Sequence, residues 1–190
     1  MDTDADLFSF ESAEAQRGRF FGKYRGTVSQ LESDPSLCRL RASVPEIYGP
    51  DLDSPWALPC LPFAGPSHGL VLMPEVGDGV WIEFEAGDIS RPIWTGSWFA
   101  QGDRPDPSTE KARVLATTAG HALVLDDDAN KVQLLHAAGA ELTMEANQIT
   151  LKLGSCQIVI SQTDINVNNG MLKITTTGAS LVNDAFKVGT

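Results

Sequence analysis

Histidine, cysteine and positive charge are all scarce in this chain, and each scarcity excludes a class of function. The three histidines, His68, His121 and His136, stand in neither HxH nor HExxH spacing, so the common metalloenzyme ligand sets are missing. The three cysteines, Cys38, Cys60 and Cys156, form no CxxC or CxxH pair. Such an arrangement fits reduced thiols, not a disulfide framework or a zinc site. Against 14 Lys and Arg stand 25 Asp and Glu, a formal net charge of −11. That balance disfavours a nucleic-acid partner, whose phosphates need clustered cations, and disfavours an anionic membrane surface as a resting site. No apolar run approaches the length of a membrane span. The acidic opening MDTDADLFSFESAEAQ has neither the basic nor the apolar region of a signal peptide, so synthesis in the cytoplasm without such a signal is expected.

What the chain does have is alternation. From about Leu115 onward, short apolar/polar alternations recur every seven to nine residues or so, with almost no helical pattern. Leu142 and Met144 point one way, as do Ile149, Leu151 and Leu153, then Ile158 and Ile160. Ile165 with Val167 and Leu172 with Ile174 continue the series, and Leu181, Phe186 and Val188 follow it less cleanly. Period-two alternation predicts half-buried strands, and a short repeat of them predicts a winding β-structure. Strands so short cannot bury their own apolar face, so they must stack on copies of themselves. About a dozen apolar positions per chain, at roughly 1.5–3 kcal/mol each, give of order 20 kcal/mol before entropy.

Ahead of this repeat the pattern differs. An acidic leader over 1–18 carries Phe8 and Phe10. Phe20 to Val28 and Leu37 to Val44 then read as a hairpin ended by Pro45. A Pro- and Gly-rich loop spans 47–66, with an edge strand expected within Ala57 to Phe63. Further strands are expected to enter at Leu70, to run from Val80 to Glu85, and to run from Pro92 to Phe99. Tight turns at Val76–Gly79 and Gly87–Asp88 separate them. Strands of this size with Gly-rich corners fit a small closed barrel over 19–100. A polar linker over 101–111 then leads to a β-repeat over 112–190. Val80, Ile82 and Phe84 are expected to face inward and Trp81 outward, toward solvent or an interface.

The barrel block carries Pro74, Val76, Gly77, Asp78, Val80, Ile82 and Phe84, then Gly87 and Asp88, Arg91 and Pro92, and Gly96. It resembles the barrel domain of contractile-tail spike proteins: the phage baseplate assembly protein V and the VgrG-like spikes of type VI secretion. Gly79 stands where an acidic residue is common in that family. Ala119-Gly120-His121, followed by Leu123 to Asp127, is similar to the opening of the family's repeat. The resemblance implies an all-β chain, with an N-terminal OB-fold-like barrel and a C-terminal intertwined trimeric β-helix, a triangular prism. It implies a homotrimer whose core is filled by Leu142, Met144, Ile149, Leu151, Leu153, Ile158, Ile160, Ile165, Val167, Leu172 and Ile174. It implies a trimeric baseplate hub as partner, transient contact with a target membrane, and a PAAR-like tip protein seated on Phe186 and Val188.

No catalytic constellation accompanies these motifs, and no cofactor is expected. Ser97 lacks the G-x-S-x-G elbow. Asp126 to Asn130 lacks the spacing and terminal Glu of a calcium loop and reads as an acidic β-turn. Glu83 and Glu85 share a strand face, which raises a weak peptidoglycan glycosidase as one alternative. A nucleic-acid-binding small barrel using Trp81, Trp94, Trp98 and Phe99 is the other, and the net charge opposes it. The expected role is mechanical: the puncturing spike of a contractile injection system.

Overall fold

The computed structural model describes residues 18–189, so Phe8, Phe10 and nearly all of the acidic leader lie outside the described residues. The chain divides into two compact units between Asp103 and Arg104. Both are built of strands.

The first unit is an OB-like curled sheet. Its strands are β1 (Tyr24–Leu31), β2 (Leu40–Ser43), β3 (Leu58–Pro59), β6 (Gly79–Phe84) and β7 (Pro92–Trp98), in the order β2-β1-β6-β7-β3. A separate two-stranded ribbon pairs β4 (Ala64–Gly65) with β5 (His68–Gly69). β1 pairs antiparallel with both β2 and β6, and its register shifts between Val28 and Gln30. β6 alternates strictly: Val80, Ile82 and Phe84 are buried while Gly79, Trp81 and Glu83 are half-buried on the other face. The inward set meets Val28, Leu40, Ala42, Val44, Ala57 and Trp94 in one core. Gly26 permits this closeness, since a Cβ there would lie 3.2 Å from both Ala42 and Val44.

One local expectation fails and two are refined. The strand expected to enter at Leu70 is absent; residues 70–75 are irregular, and Leu70, Val71 and Leu72 stand exposed. Four successive apolar residues suggested burial, but the chain has already turned through β4 and β5. The edge strand within 57–63 shrinks to Leu58–Pro59, pairing parallel with β7 at Ile93 and Trp94. The Cys60 amide still donates to the Trp94 carbonyl at 2.9 Å, and Pro62, two residues on, has no ladder donor. Pro45 does not merely end β2: it opens a single helical turn, Pro45–Tyr48, its fixed φ suiting the first helical position.

The second unit is a ten-stranded antiparallel meander. Its strands are β8 (Ala112–Ala116), β9 (Ala122–Asp126), β10 (Lys131–Leu135), β11 (Ala140–Met144), β12 (Gln148–Leu153) and β13 (Cys156–Ser161). They continue as β14 (Asp164–Val167), β15 (Leu172–Thr175), β16 (Gly178–Leu181) and β17 (Phe186–Gly189). Each pairs with its neighbours in sequence, hairpin after hairpin. Within this ladder each lateral partner comes from the same chain, because turns of a few residues reverse the strand before another chain can intervene. What the ladder leaves unsatisfied is a face rather than its internal edges.

Candidate functional site

The ladder's register sorts its side chains into columns. One column runs Leu115, Leu123, Leu134, Leu142, Leu151 and Ile158, each directly opposite the next. It continues through Val167, Leu172 and Leu181 to Phe186 on the last strand. A second column, two residues away along each strand, runs Leu125, Val132, Met144, Ile149 and Ile160. It goes on through Ile165, Ile174 and Ala179 to Val188. Side chains two apart share a face, so both columns lie on one side of the sheet. Leu153, opposite Cys156, shares that side.

The intervening column is different. It holds Thr143, Thr150, Val159, Asn166, Lys173, Ser180 and Lys187. Polar contacts settle this second face within the chain. The Thr143 hydroxyl donates to Glu141 at 2.6 Å, and the Gln133 amide donates to the same oxygen at 3.2 Å. These bonds, that of Thr143 first, hold the Glu141 carboxyl below its ordinary range. Lys173 pairs with Asp164 at 2.9 Å. The hydrogen bond from Ser161 is the main cause of the lowered Asp164 carboxyl.

The apolar face has no such closure. Leu151 is 52 % exposed, Leu153 62 % and Leu134 57 %. Met144, Ile149, Ile158, Ile160, Ile165 and Ile174 are exposed as well. Monomeric soluble proteins rarely show contiguous apolar patches beyond a few hundred Å²; here the face runs the length of ten strands. All the residues expected to form a trimer core stand on this one face. Sequence reading missed its first part, Leu115, Leu123, Leu125, Val132 and Leu134. The signal was present but masked, because Leu123-Val124-Leu125 reads as a continuous apolar run in which Val124 belongs to the opposite, buried side.

In the first unit, the motif residues form two corners. Gly77 (φ 99°) and Gly87 (φ 76°) both need the left-handed region, which glycine enters without cost. The Asp78 carboxylate accepts from the Glu75 amide at 2.8 Å, and Asp88 accepts from the Ser90 amide at 3.0 Å. Those bonds from Ser90 hold the Asp88 carboxyl low. Pro74 and Pro92 are buried, Val76 is exposed, and Arg91 pairs with Glu85. Gly96 sits at φ 134°. Gly79 has its own reason: a Cβ there would fall 2.5 Å from the Trp98 ring. Tyr48, unnoticed in the sequence, ties the helical turn to the second corner by donating to the Ile89 carbonyl at 2.6 Å. Burial, aided by Asp88, pushes its hydroxyl up to about 12.

Trp81 does face outward, where Arg25 lies 5.7 Å from its ring and 5.6 Å from that of Trp98. Lys23 pairs with Glu83 and Arg91 with Glu85. Asp126 caps the acidic turn by accepting from the Ala129 amide at 3.0 Å. Among the described residues no group of three metal-ligating side chains comes together, and no helix is long and apolar enough to cross a membrane.

Comparison with protein families matches residues 24–99 to the type VI secretion system/phage-baseplate injector OB domain. Residues 112–173 match the phage baseplate V C-terminal trimerisation domain. The chain belongs to the baseplate spike family of phage tails and type VI secretion systems. A comparison with curated proteins finds no match. The trimerisation domain accounts for the open apolar face, and it makes the spike a homotrimer. It is a component of a phage tail-like assembly, in a family of structural baseplate proteins. The columns run past the matched residues: Leu181 and Phe186 extend one, Ala179 and Val188 the other.

Proposed function

We propose that this chain is the puncturing spike of a contractile injection particle, with a barrel over 19–100, a linker over 101–111 and a shaft over 112–190. The observation that carries the reading is the pair of apolar columns that persists from the early strands of the ladder to Phe186 and Val188 on β17. Three such faces, turned toward a common axis, bury one another and leave the polar faces to solvent. A triangular prism closed in this way is stiff, because bending it separates packed side chains along its whole length. Force on such a shaft requires no catalytic residue.

The barrel holds the spike to a trimeric hub supplied by a separate chain. Its outward Trp81, Trp98 and Arg25 cluster has the aromatic and arginine character of interface anchors. The last strand, where Phe186 and Val188 close the two columns, seats a small PAAR-like tip protein. The assembled spike carries three times −11, or −33, formal charges, which favours solubility over lasting adhesion to an anionic membrane. Contact with the target envelope is transient and driven by contraction.

Locating the chain in purified particles by electron cryomicroscopy tests this reading. A three-fold density on the tube axis at the baseplate end supports it. A label on the sheath, or on particles without three-fold axial density, overturns it.

A further inference from the structure

Every residue from 62 to 72 is exposed, although the segment carries Phe63, Leu70, Val71 and Leu72. It is nonetheless well formed. β4 and β5 pair through Ala64 with Gly69 and Gly65 with His68. The Leu70 amide donates to the Phe63 carbonyl at 2.9 Å, and the Phe63 and His68 rings meet with centroids 5.3 Å apart. The result is a hairpin arm with two separate apolar surfaces. At its base Leu70 and Leu72 join Cys60, Leu61 and Trp94 around an open groove of about 510 Å³. Phe63 and Val71, 57 % and 56 % exposed, do not line that groove.

The homotrimer supplies what can cover both surfaces. Each is far below the ~800 Å² that a stable complex buries on each partner, so untethered barrels would stay apart. Residues 99–111 alone separate β7 from β8, where the trimerisation domain begins. A connection of that length spans at most about 50 Å. Three barrels on one trimer therefore meet at an effective concentration in the millimolar range, which a small apolar contact can use. Symmetry adds a requirement. A three-fold ring of identical chains is joined by two different surfaces, one given and one received, and the arm carries both. Charge points the same way. Residues 54–74 contain no Asp, Glu, Lys or Arg, in a chain of net charge −11. Copies that repel one another approach most easily through such a stretch, whereas a surface for a basic partner would carry acids.

We propose that the 62–72 arm joins the barrels of the trimer to one another, with Phe63 and Val71 of one copy seated in the groove beside Cys60 of the next. The inference rests on the homotrimer and not on attachment to a hub. Trp81, Trp98 and Arg25, the anchors assigned to the hub, do not line this groove. Barrels closed into a ring move as one body, so a load on the shaft is shared by all three.

Cys60, a free thiol lining the groove, is the probe. The full chain, its trimeric mass checked by light scattering, is treated with iodoacetamide, and alkylation of each cysteine is followed by peptide mass spectrometry. Cys38, in the same barrel and outside the groove, normalises the rates. The comparison is a Phe63→Ser/Val71→Ser variant, which removes the given surface and leaves the groove and the barrel core intact. Cys60 alkylated at least tenfold faster in the variant supports the contact. A smaller difference overturns it, and if Cys60 then slows only in assembled particles, the groove belongs to another baseplate chain. If the variant does not fold, Leu72→Ser on the receiving side decides by the same ratio. A chain monomeric at neutral pH removes the tether and the contact together, whereas a trimer with Cys60 equally reactive in parent and variant removes the contact alone.

Discussion

Leu151→Asp is the substitution that most sharply separates a covered face from an exposed one. Leu151 sits mid-column between Leu142 and Ile158 and is 52 % exposed in the single chain. Covering the remaining half of a leucine contributes about 1 kcal/mol. Placing a carboxylate in the same apolar interface costs several kcal/mol more, taken as about 3. The change is about 4 kcal/mol per copy and about 12 kcal/mol for three. At 1.4 kcal/mol per tenfold, that weakens trimer formation by about nine decades. The charge-matched control is Thr150→Asp, one residue away on the opposite face. The assay is size-exclusion chromatography with light scattering, with circular dichroism confirming that β-structure persists. Leu151→Asp elutes as a folded or aggregating non-trimer, and Thr150→Asp remains trimeric. If both variants are trimers of equal thermal stability, the columns are not the interface and the reasoning fails.

Other perturbations address the barrel and the polar face. Ser54→Ala removes a buried hydroxyl that accepts from the Ala42 amide at 3.0 Å, and calorimetry shows a loss of about 1–3 kcal/mol. Gly79→Ala drives a methyl into the Trp98 ring and costs about 1–3 kcal/mol by overpacking, visible as a lower melting temperature. Ala86→Gly relieves a left-handed alanine at φ 52° and raises the melting temperature, by up to about 1 kcal/mol of stability. Glu141 has its carboxyl held below the ordinary 4.5. Its contribution is present above that pH and is lost as pH falls through the depressed value, so Glu141→Gln flattens the acid limb of a stability–pH curve.

The strands that were easiest to read were those whose two faces differ most. In Ile149-Thr150-Leu151 the apolar spacing alone places Ile149 and Leu151 together, and Ile165 with Val167 follows the same logic. Val124 defeated that logic, because an apolar residue on the polar side erases the alternation on which face assignment depends. The barrel corners were legible for a different reason: Gly77-Asp78 and Gly87-Asp88 encode a local geometry that tertiary contacts barely alter. Leu70 to Leu72 misled because hydrophobicity states a preference for burial but not a partner, and these three stand exposed after the β4–β5 ribbon. Periodicity reports which face a side chain takes and is silent on which strand lies beside it. The ring contact between His121 and His136 was invisible for a similar reason: fifteen residues separate them in sequence, and only the register brings them together.

The mass of the purified full chain in solution tests the central claim most directly. One chain weighs 20.4 kDa. The account predicts a single species of about three times that mass at neutral pH, persisting on dilution into the nanomolar range. A stable monomer of 20.4 kDa that stays soluble with its apolar face bare would contradict it.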